Sequence, residues 1–523
     1  MKKYIAKRIG ALLSVCLLAL GIHAQGFSPA ALELLKQKKL WFNSQNAAGV
    51  GLDDTRKYSD LKFNYTNIDG DFKRPQEGES LNNFGVNSEG FMNLENKAFV
   101  WGKFSFEQQN IKDAQYNASI TDPFRGMPYY VTDEGHLSKW RNQFYDLEFL
   151  AATPTLWNHW SFGIKGAYKA SISAKQLDPR VDTRFYTLEL LPGVTYKIND
   201  KHTLGINLEY ASIKEDSKME NVNFYVDQQY YEHAGLGIAV NGVGNGRETD
   251  YKGDRIGAGF QYNFNGEKWR LLFEAVYTKH VEDVDNMKDS NGRNYPKRIA
   301  QIADEVMKAG LTVYRTGERF THYLNLGYES RSIDGIEYVN QRNNSLENNN
   351  WIEVFHSIRS TYETEAFAVN YSFIQNKGGE YGWKVDAGVS YVKQDDKYLM
   401  PEAKKNYENM LYSLSIKKNF VVGSEKNQRL LVDLSGALKK NQSGEYEFNG
   451  SFPDYASVVM ERTDLNYLAS DYTKFGLSAT YSQQIKEKSR TNIFAKAAFE
   501  HVNADSDLFS KRNTFSITVG CNF

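Results

Sequence analysis

Apolar and polar residues alternate with a period of two over most of the chain, in paired runs joined by turns. Residues 186–198 place Tyr186, Leu188, Leu190, Val194, Tyr196 and Ile198 on one side. After Asn199-Asp200-Lys201, Leu204, Ile206, Leu208 and Tyr210 return on one face, with Gly205, Asn207 and Glu209 between them. Ile256, Ala258, Phe260, Tyr262 and Phe264 repeat the pattern, turn at Asn265-Gly266-Glu267, and come back as Trp269, Leu271, Phe273, Ala275 and Tyr277. Phe475, Leu477, Ala479 and Tyr481 pair in the same way with Ile493, Ala495, Ala497 and Phe499. Such alternation predicts antiparallel hairpins with one apolar and one polar sheet face.

The connections decide which kind of sheet. Short ones such as 199–201, 265–267 and 316–318 alternate with long ones such as 109–143, 213–253 and 280–304. A soluble sandwich has no reason to segregate loop lengths at alternate strand ends. A transmembrane barrel does, with short periplasmic turns and long extracellular loops. The chain therefore predicts an all-β fold: a closed antiparallel transmembrane β-barrel of about eighteen strands over residues 57–523. The fallback is sixteen, without the two weakly patterned strands at its start. An even count leaves both termini on the periplasmic side.

Composition narrows the function classes. Mean hydropathy is −0.58, and no internal apolar run approaches the length of a membrane-crossing helix, so a helical bundle is excluded. Lys+Arg 63 against Asp+Glu 64 gives a net charge of −1, which offers no basic field for nucleic acid. The 34 Tyr, 31 Phe and 8 Trp suit a barrel with interfacial aromatics.

At the N-terminus, Lys2, Lys3, Lys7 and Arg8 precede an apolar core from Ile9 to Ile22 and then His23-Ala24. This predicts a secretory signal peptide over 1–24 and export to the outer membrane. Cys16 lacks a lipoprotein context, so Cys521 alone is left after cleavage and no intrachain disulfide is expected. Residues 25–56 form a leader. Ser28-Pro29 predicts the start of a short helix with Leu32, Leu35, Leu40 and Trp41 apolar, and the leader is expected to occupy part of the lumen. At the other end Phe515, Ile517, Val519, Cys521 and Phe523 share one face. An alternating last strand ending in an aromatic is the kind of edge that the barrel assembly machinery must pair before it meets lipid.

The stretch from Trp41 through Asn46-Ala47-Ala48-Gly49, Tyr58-Ser59-Asp60, Arg74-Pro75-Gln76-Glu77-Gly78 and Phe84-Gly85-Val86-Asn87 resembles an uncharacterised family of bacteroidete outer-membrane β-barrels. The resemblance covers most of the mature chain. It implies an outer-membrane barrel associated with TonB-dependent uptake, with no catalytic residues to carry over. Asn46-Ala47-Ala48-Gly49 is also similar to the N-terminal Asn-Pro-Ala-Gly segment of long-chain fatty-acid transporters, with Ala47 in place of proline.

Candidate chemistry sits on the polar strand faces and in the loops. Glu189, Glu209, Glu274, Asp386, Asp433 and Glu500 oppose Arg255, Arg270, Lys384, Arg429, Lys474 and Lys496 as lumen-lining candidates. They could form a permeation path or a cross-braced interior, and their balanced signs argue against a strongly ion-selective pore. Tyr129-Tyr130, Phe224-Tyr225 and Tyr230-Tyr231, with Asn343, Asn344 and Asn348 to Asn350, could hold a sugar or another flat-faced ligand at the surface, or could pack among themselves. Asp283, Asp285, Asp289 and Asn291 miss the spacing of a calcium loop. No metalloprotease or serine-nucleophile motif occurs, and His280 and His501 near the upper strand ends have no identifiable serine partner. The expectation is a non-enzymatic barrel without cofactor or metal that passes a small polar or amphipathic solute. The alternative is a non-conducting accessory barrel holding a partner or glycan. Expected partners are outer-membrane lipid, the assembly machinery, and a TonB-dependent receptor or surface lipoprotein.

Overall fold

Alternating strands leave one apolar face that must meet something other than water, and closure removes the free edges that lipid cannot satisfy. The computed structural model shows that solution. It describes residues 27–523 apart from Asn96, Phe224, Asp227, Asn245 and the stretches 289–293, 343–350, 424–426 and 486–490. Among the described residues an 18-stranded antiparallel sheet closes on itself. The first strand, Tyr58–Gly70, pairs with Ser80–Asn93 on one side and with the last strand, Lys511–Asn522, on the other, in register from Asp60 opposite Asn522 to Gly70 opposite Arg512. Ser59 and Phe523 exchange backbone hydrogen bonds at 2.7 and 3.0 Å, which extends the seam to the last residue.

The faces follow the sequence pattern. In strand His202–Glu220, Ile206 and Leu208 are 55% and 59% exposed, whereas the neighbouring Asn207 and Glu209 are only 1% and 6% exposed. Apolar outside and polar inside is the arrangement a bilayer requires. At the short-turn ends aromatic rings form a girdle: Phe320 stacks on Phe373, and His202 and His322 hydrogen-bond the hydroxyls of Tyr262 and Tyr371.

At the long-loop end the strands run further than the apolar alternation predicts. They begin at Arg247, Asn294, Trp351 and Glu402 where the pattern places starts near 254, 305, 361 and 408. On their outer face the extensions carry polar residues, such as the pairs Lys252–Asp250 and Lys404–Glu402, in place of the apolar residues of the belt below. No hydrophobic period marks them, yet the backbone ladder continues. A strand of 27 residues, Trp351–Lys377, far exceeds the roughly 9–11 residues needed to cross the hydrocarbon layer, so these hairpins stand clear of it.

Two further structures come from segments without strand periodicity. The leader forms helix α1 (Pro29–Gln37), whose Ser28 cap accepts from the Ala31 N–H, and a 3-10 turn (Ala47–Leu52) capped by Asn46. At the opposite end Val131–Asp133, Gln229–Gly235 and Ile238–Val243 pair into a small three-stranded sheet, and helix α2 (Ala456–Ala469) follows the strand Gln428–Phe448.

Candidate functional site

The lumen is closed at the short-turn end by the leader. Leu32, Leu35, Leu40 and Trp41 pack with Phe91, Phe99, Trp101, Leu150 and Tyr314 of the wall, and Ala30 and Leu34 pack with Ile374 and Tyr381. Polar contacts fix its position. Glu33 Oε1 accepts from Lys384 and Lys417 at 2.8 Å each, and Glu33 Oε2 accepts from the Tyr381 hydroxyl at 2.7 Å. Lys36 pairs with Glu89. Asn46 Nδ2 donates to the Val194 and Ile206 carbonyls and to Gln261, and the Gln45 N–H reaches Glu274 at 2.9 Å. Glycines make room for this close approach: a Cβ on Gly193 would stand 2.2 Å from Asn46 Oδ1, and one on Gly163 would stand 2.4 Å from the Ala48 nitrogen.

Burial acts on the leader's own charges. Lys39 is enclosed by the rings of Phe42, Tyr58 and Phe91, with its ammonium 3.6 Å from the Phe91 centroid. Loss of hydration lowers it to about 8, partly opposed by Asp53 and Asp54. Asp53 is pushed up to about 7 by burial, against the N–H donors of Phe42 and Trp41. Glu33 shows the opposite balance. Burial pulls it upward, but Lys417 and Lys384 outweigh that and hold it at about 2.

A second closure sits at the long-loop end, where residues 115–137 and 228–246 fold back over the lumen. Arg125 makes a bidentate pair with buried Glu282 at 2.7 and 2.9 Å and lies 3.3 Å from Glu215. Lys175 pairs with Asp133 on the small sheet. Helix α2 is tied down through Asp464, which takes a two-toothed contact from Arg74 at 2.6 and 2.7 Å and a third bond from Lys405 at 2.8 Å. Glu461 on the same helix also accepts from Lys405.

Charged and apolar side chains share the space between the closures, with Phe144 and Phe185 on its outer part. A cavity of about 560 Å³ lies against the leader, lined by Phe42 and Asn43 and by wall residues including Asn87, Glu89, Trp101 and Lys103. A second, about 430 Å³, lies beneath the outer closure, lined by Asp122, Arg125, Glu107, Asp146 and Lys169 among others.

Ten of the twelve lumen candidates enter polar pairings. Arg255 bridges Glu209 at 2.5 Å and Glu189 at 2.8 Å. Glu274 accepts from Gln45 and Gln261. Lys384 reaches Glu33 and Asp386, Asp386 accepts from Ser372, and Asp433 accepts from Ser415. Arg429 pairs with Glu380, and Lys474 with Glu500. Arg270 and Lys496, both exposed, form no ion pair among the described residues.

Four of the six loop aromatics take the second of the arrangements the sequence allows and pack inside instead of forming a surface patch. Tyr129, Tyr130, Tyr230 and Tyr231 are buried. Tyr129 and Tyr130 pack with Ile333 and Met460, Tyr230 packs with Val131 and Trp140, and Tyr231 meets Tyr455 at 5.2 Å with the rings tilted by 55°. The segments that carry them turn into the lumen, where rings gain more by leaving water than by facing it. Tyr225 is 99% exposed, while Phe224, Asn343, Asn344 and Asn348 to Asn350 lie outside the described residues, as does the signal segment. Asp283 and Asp285 are engaged by Arg298 at 2.6 and 3.4 Å, and Asp289 and Asn291 lie outside the described residues. His501 hydrogen-bonds Asn513, and His280 faces Glu282 and Asp304.

Sequence reasoning missed Glu33, Arg125 and Asp464 and, Lys384 apart, their partners. Period-two patterning marks Lys417, Glu215 and Glu282 as inward-facing, but nothing local names what they meet.

A family model covers residues 47–523, and its description is a family of unknown function (DUF6850). The chain belongs to that family. No curated protein matches this DUF6850 member. Among solved structures it is similar to BauA, the ferric preacinetobactin receptor from Acinetobacter baumannii, at 9% identity and TM-score 0.41, over 90% of this chain and 80% of that one. It is similar to a Pseudomonas aeruginosa FadL homologue at 13% identity and TM-score 0.34, over 96% and 99% of the two chains. The Escherichia coli outer membrane transporter YddB gives 9% identity and TM-score 0.39, over 89% and 81%.

Proposed function

We propose that this barrel sits in the outer membrane and takes up a small polar solute through a lumen that is closed at rest from both ends. The observation that carries the reading is a pair of charge-bearing cavities, one against each of two inserted segments that are fastened to the wall by identifiable ion pairs. A barrel serving only as a rigid scaffold has no need of a preserved, charge-lined space. The leader buries Leu32, Leu35, Leu40 and Trp41, at about 1.5–3 kcal/mol per side chain, so it does not leave unaided. Opening calls for a driving partner, which gives a role to a TonB-dependent receptor or surface lipoprotein alongside the barrel. No step of this reading requires catalysis or a cofactor.

Conductance in planar bilayers tests it. The intact chain should be silent. A variant combining Gly193→Leu, which evicts Asn46, with Arg125→Ala, which releases the outer closure, should carry a steady ohmic current. If that variant stays silent while hydrogen exchange shows both segments released, the uptake reading fails. The double closure also fits a second reading, a non-conducting accessory barrel. Purification of a receptor or lipoprotein with the protein, together with a silent double variant, would favour that reading.

A further inference from the structure

The lower cavity has a lining that discriminates among solutes. Lys62, Lys103 and Lys165 face it with Glu89 and Glu148, joined by the amides of Asn43, Asn64 and Asn87. All but one of its charges are already matched among the described residues: Lys103 holds Glu148 at 2.6 Å, Lys62 holds buried Asp60 at 2.5 Å, and Lys36 of the leader holds Glu89, while Lys165 reaches only the Ser44 carbonyl at 3.4 Å. A charged solute would meet Lys165 as its one unpaired partner and would have to break the other pairs to gain more. The apolar part of the lining is confined to Leu150 and an edge-to-face pair, Phe42 and Trp101, with centroids 5.2 Å apart. An acyl chain would cover the polar remainder without satisfying it and leave buried donors and acceptors without partners.

On these grounds, and resting on the uptake reading above, we infer that the lower cavity binds a neutral, polyhydroxylated solute, a short saccharide. Hydroxyl groups donate and accept at once, so they use the spare lone pairs of paired carboxylates and the spare protons of paired ammoniums without separating them. The C–H face of a sugar ring packs on an aromatic ring such as half-buried Phe42, which Trp101 holds in place edge-to-face. At about 560 Å³ the space falls within the roughly 300–1,000 Å³ of small-molecule sites. Phe42 and Asn43 belong to the leader, so a bound saccharide touches the inner closure directly.

Titration calorimetry on the full-length protein in detergent tests this with maltose, cellobiose and xylobiose, and with triglycine and decanoate as contrasting probes. At least one disaccharide should bind saturably. The double variant Asn64→Leu/Asn87→Leu should weaken it about tenfold or more, with circular dichroism and leader exchange unchanged. Saturable binding of triglycine or decanoate that the same variant abolishes, or no saturable disaccharide binding, overturns the inference. Both results leave the uptake reading to the conductance experiment, which is independent of solute identity.

Discussion

Glu33 on helix α1 and Lys384 on the barrel wall lie 2.8 Å apart, although 351 residues separate them in sequence. With Lys417 bonded to the same carboxylate oxygen, the pair fastens the leader across the closed end of the lumen. Glu33→Gln keeps the shape and removes the charge. Leader docking should weaken by about 2–3 kcal/mol, read as faster hydrogen exchange over 29–52 with the barrel strands unaffected.

Leader docking should depend on pH with an optimum in mild acid. Glu33 is held at about 2, below its undocked value, so its contribution is present above about pH 4.5 and lost as pH falls toward 2. Asp53 is raised to about 7. Its contribution is therefore full below about pH 4 and lost as pH rises through 7. Lys39, lowered to about 8, favours docking only above that value, so it does not change the slope between pH 5 and 7. Exchange of the leader should be slowest near pH 4–4.5, after correction for intrinsic rates. Asp53→Asn should remove the rise toward neutral pH, and an unchanged profile in that variant would refute the assignment.

Arg125 is the hub of the outer closure. Arg125→Ala leaves Glu282 and Glu215 buried without their cation, a change of about 3–5 kcal/mol. Proteolysis within 115–137 should begin in intact cells or vesicles where the parent protein resists. Arg125→Ala/Glu282→Gln should recover part of that protection.

Close packing of leader on wall predicts a contrast between two glycines. Gly193→Ala places a methyl group 2.2 Å from Asn46 Oδ1, whereas Gly327 has nothing within 4 Å of the equivalent position. The first should displace the 3-10 turn and lower thermal stability, and the second should leave both unchanged.

The last strand distinguishes the two faces of the wall. Ile517 is exposed on the outer face and Thr518 points inward. Ile517→Lys should cost about 2–4 kcal/mol if it lies near the bilayer midplane, measured by folding into vesicles. Thr518→Gln should stay within about 1 kcal/mol.

The architecture was legible in the chain because its cause is local. Ile206 and Leu208 face lipid, and Asn207 and Glu209 do not, for a reason contained in four consecutive residues. Turn lengths then report on alternate ends of the sheet. The strand extensions were hidden because the outer face of residues 247–253 and 402–407 meets water, and the inner face mixes buried Thr249 and Lys405 with buried Tyr251, Ala403 and Tyr407, so no apolar period is left to read. Tertiary structure alone decided what fills the cylinder. Tyr129 and Tyr130 read equally well as a surface platform or a buried cluster until the segment carrying them turns inward, and no neighbour in sequence dictates that turn. Arg74 meets Asp464 across 390 positions, and Glu33 meets Lys417 across 384. Alternation assigns Lys417 to the inner face, but a partner carried on a helix or loop is chosen by the circumference and stagger of the closed wall, which exist only once the first strand has met the last.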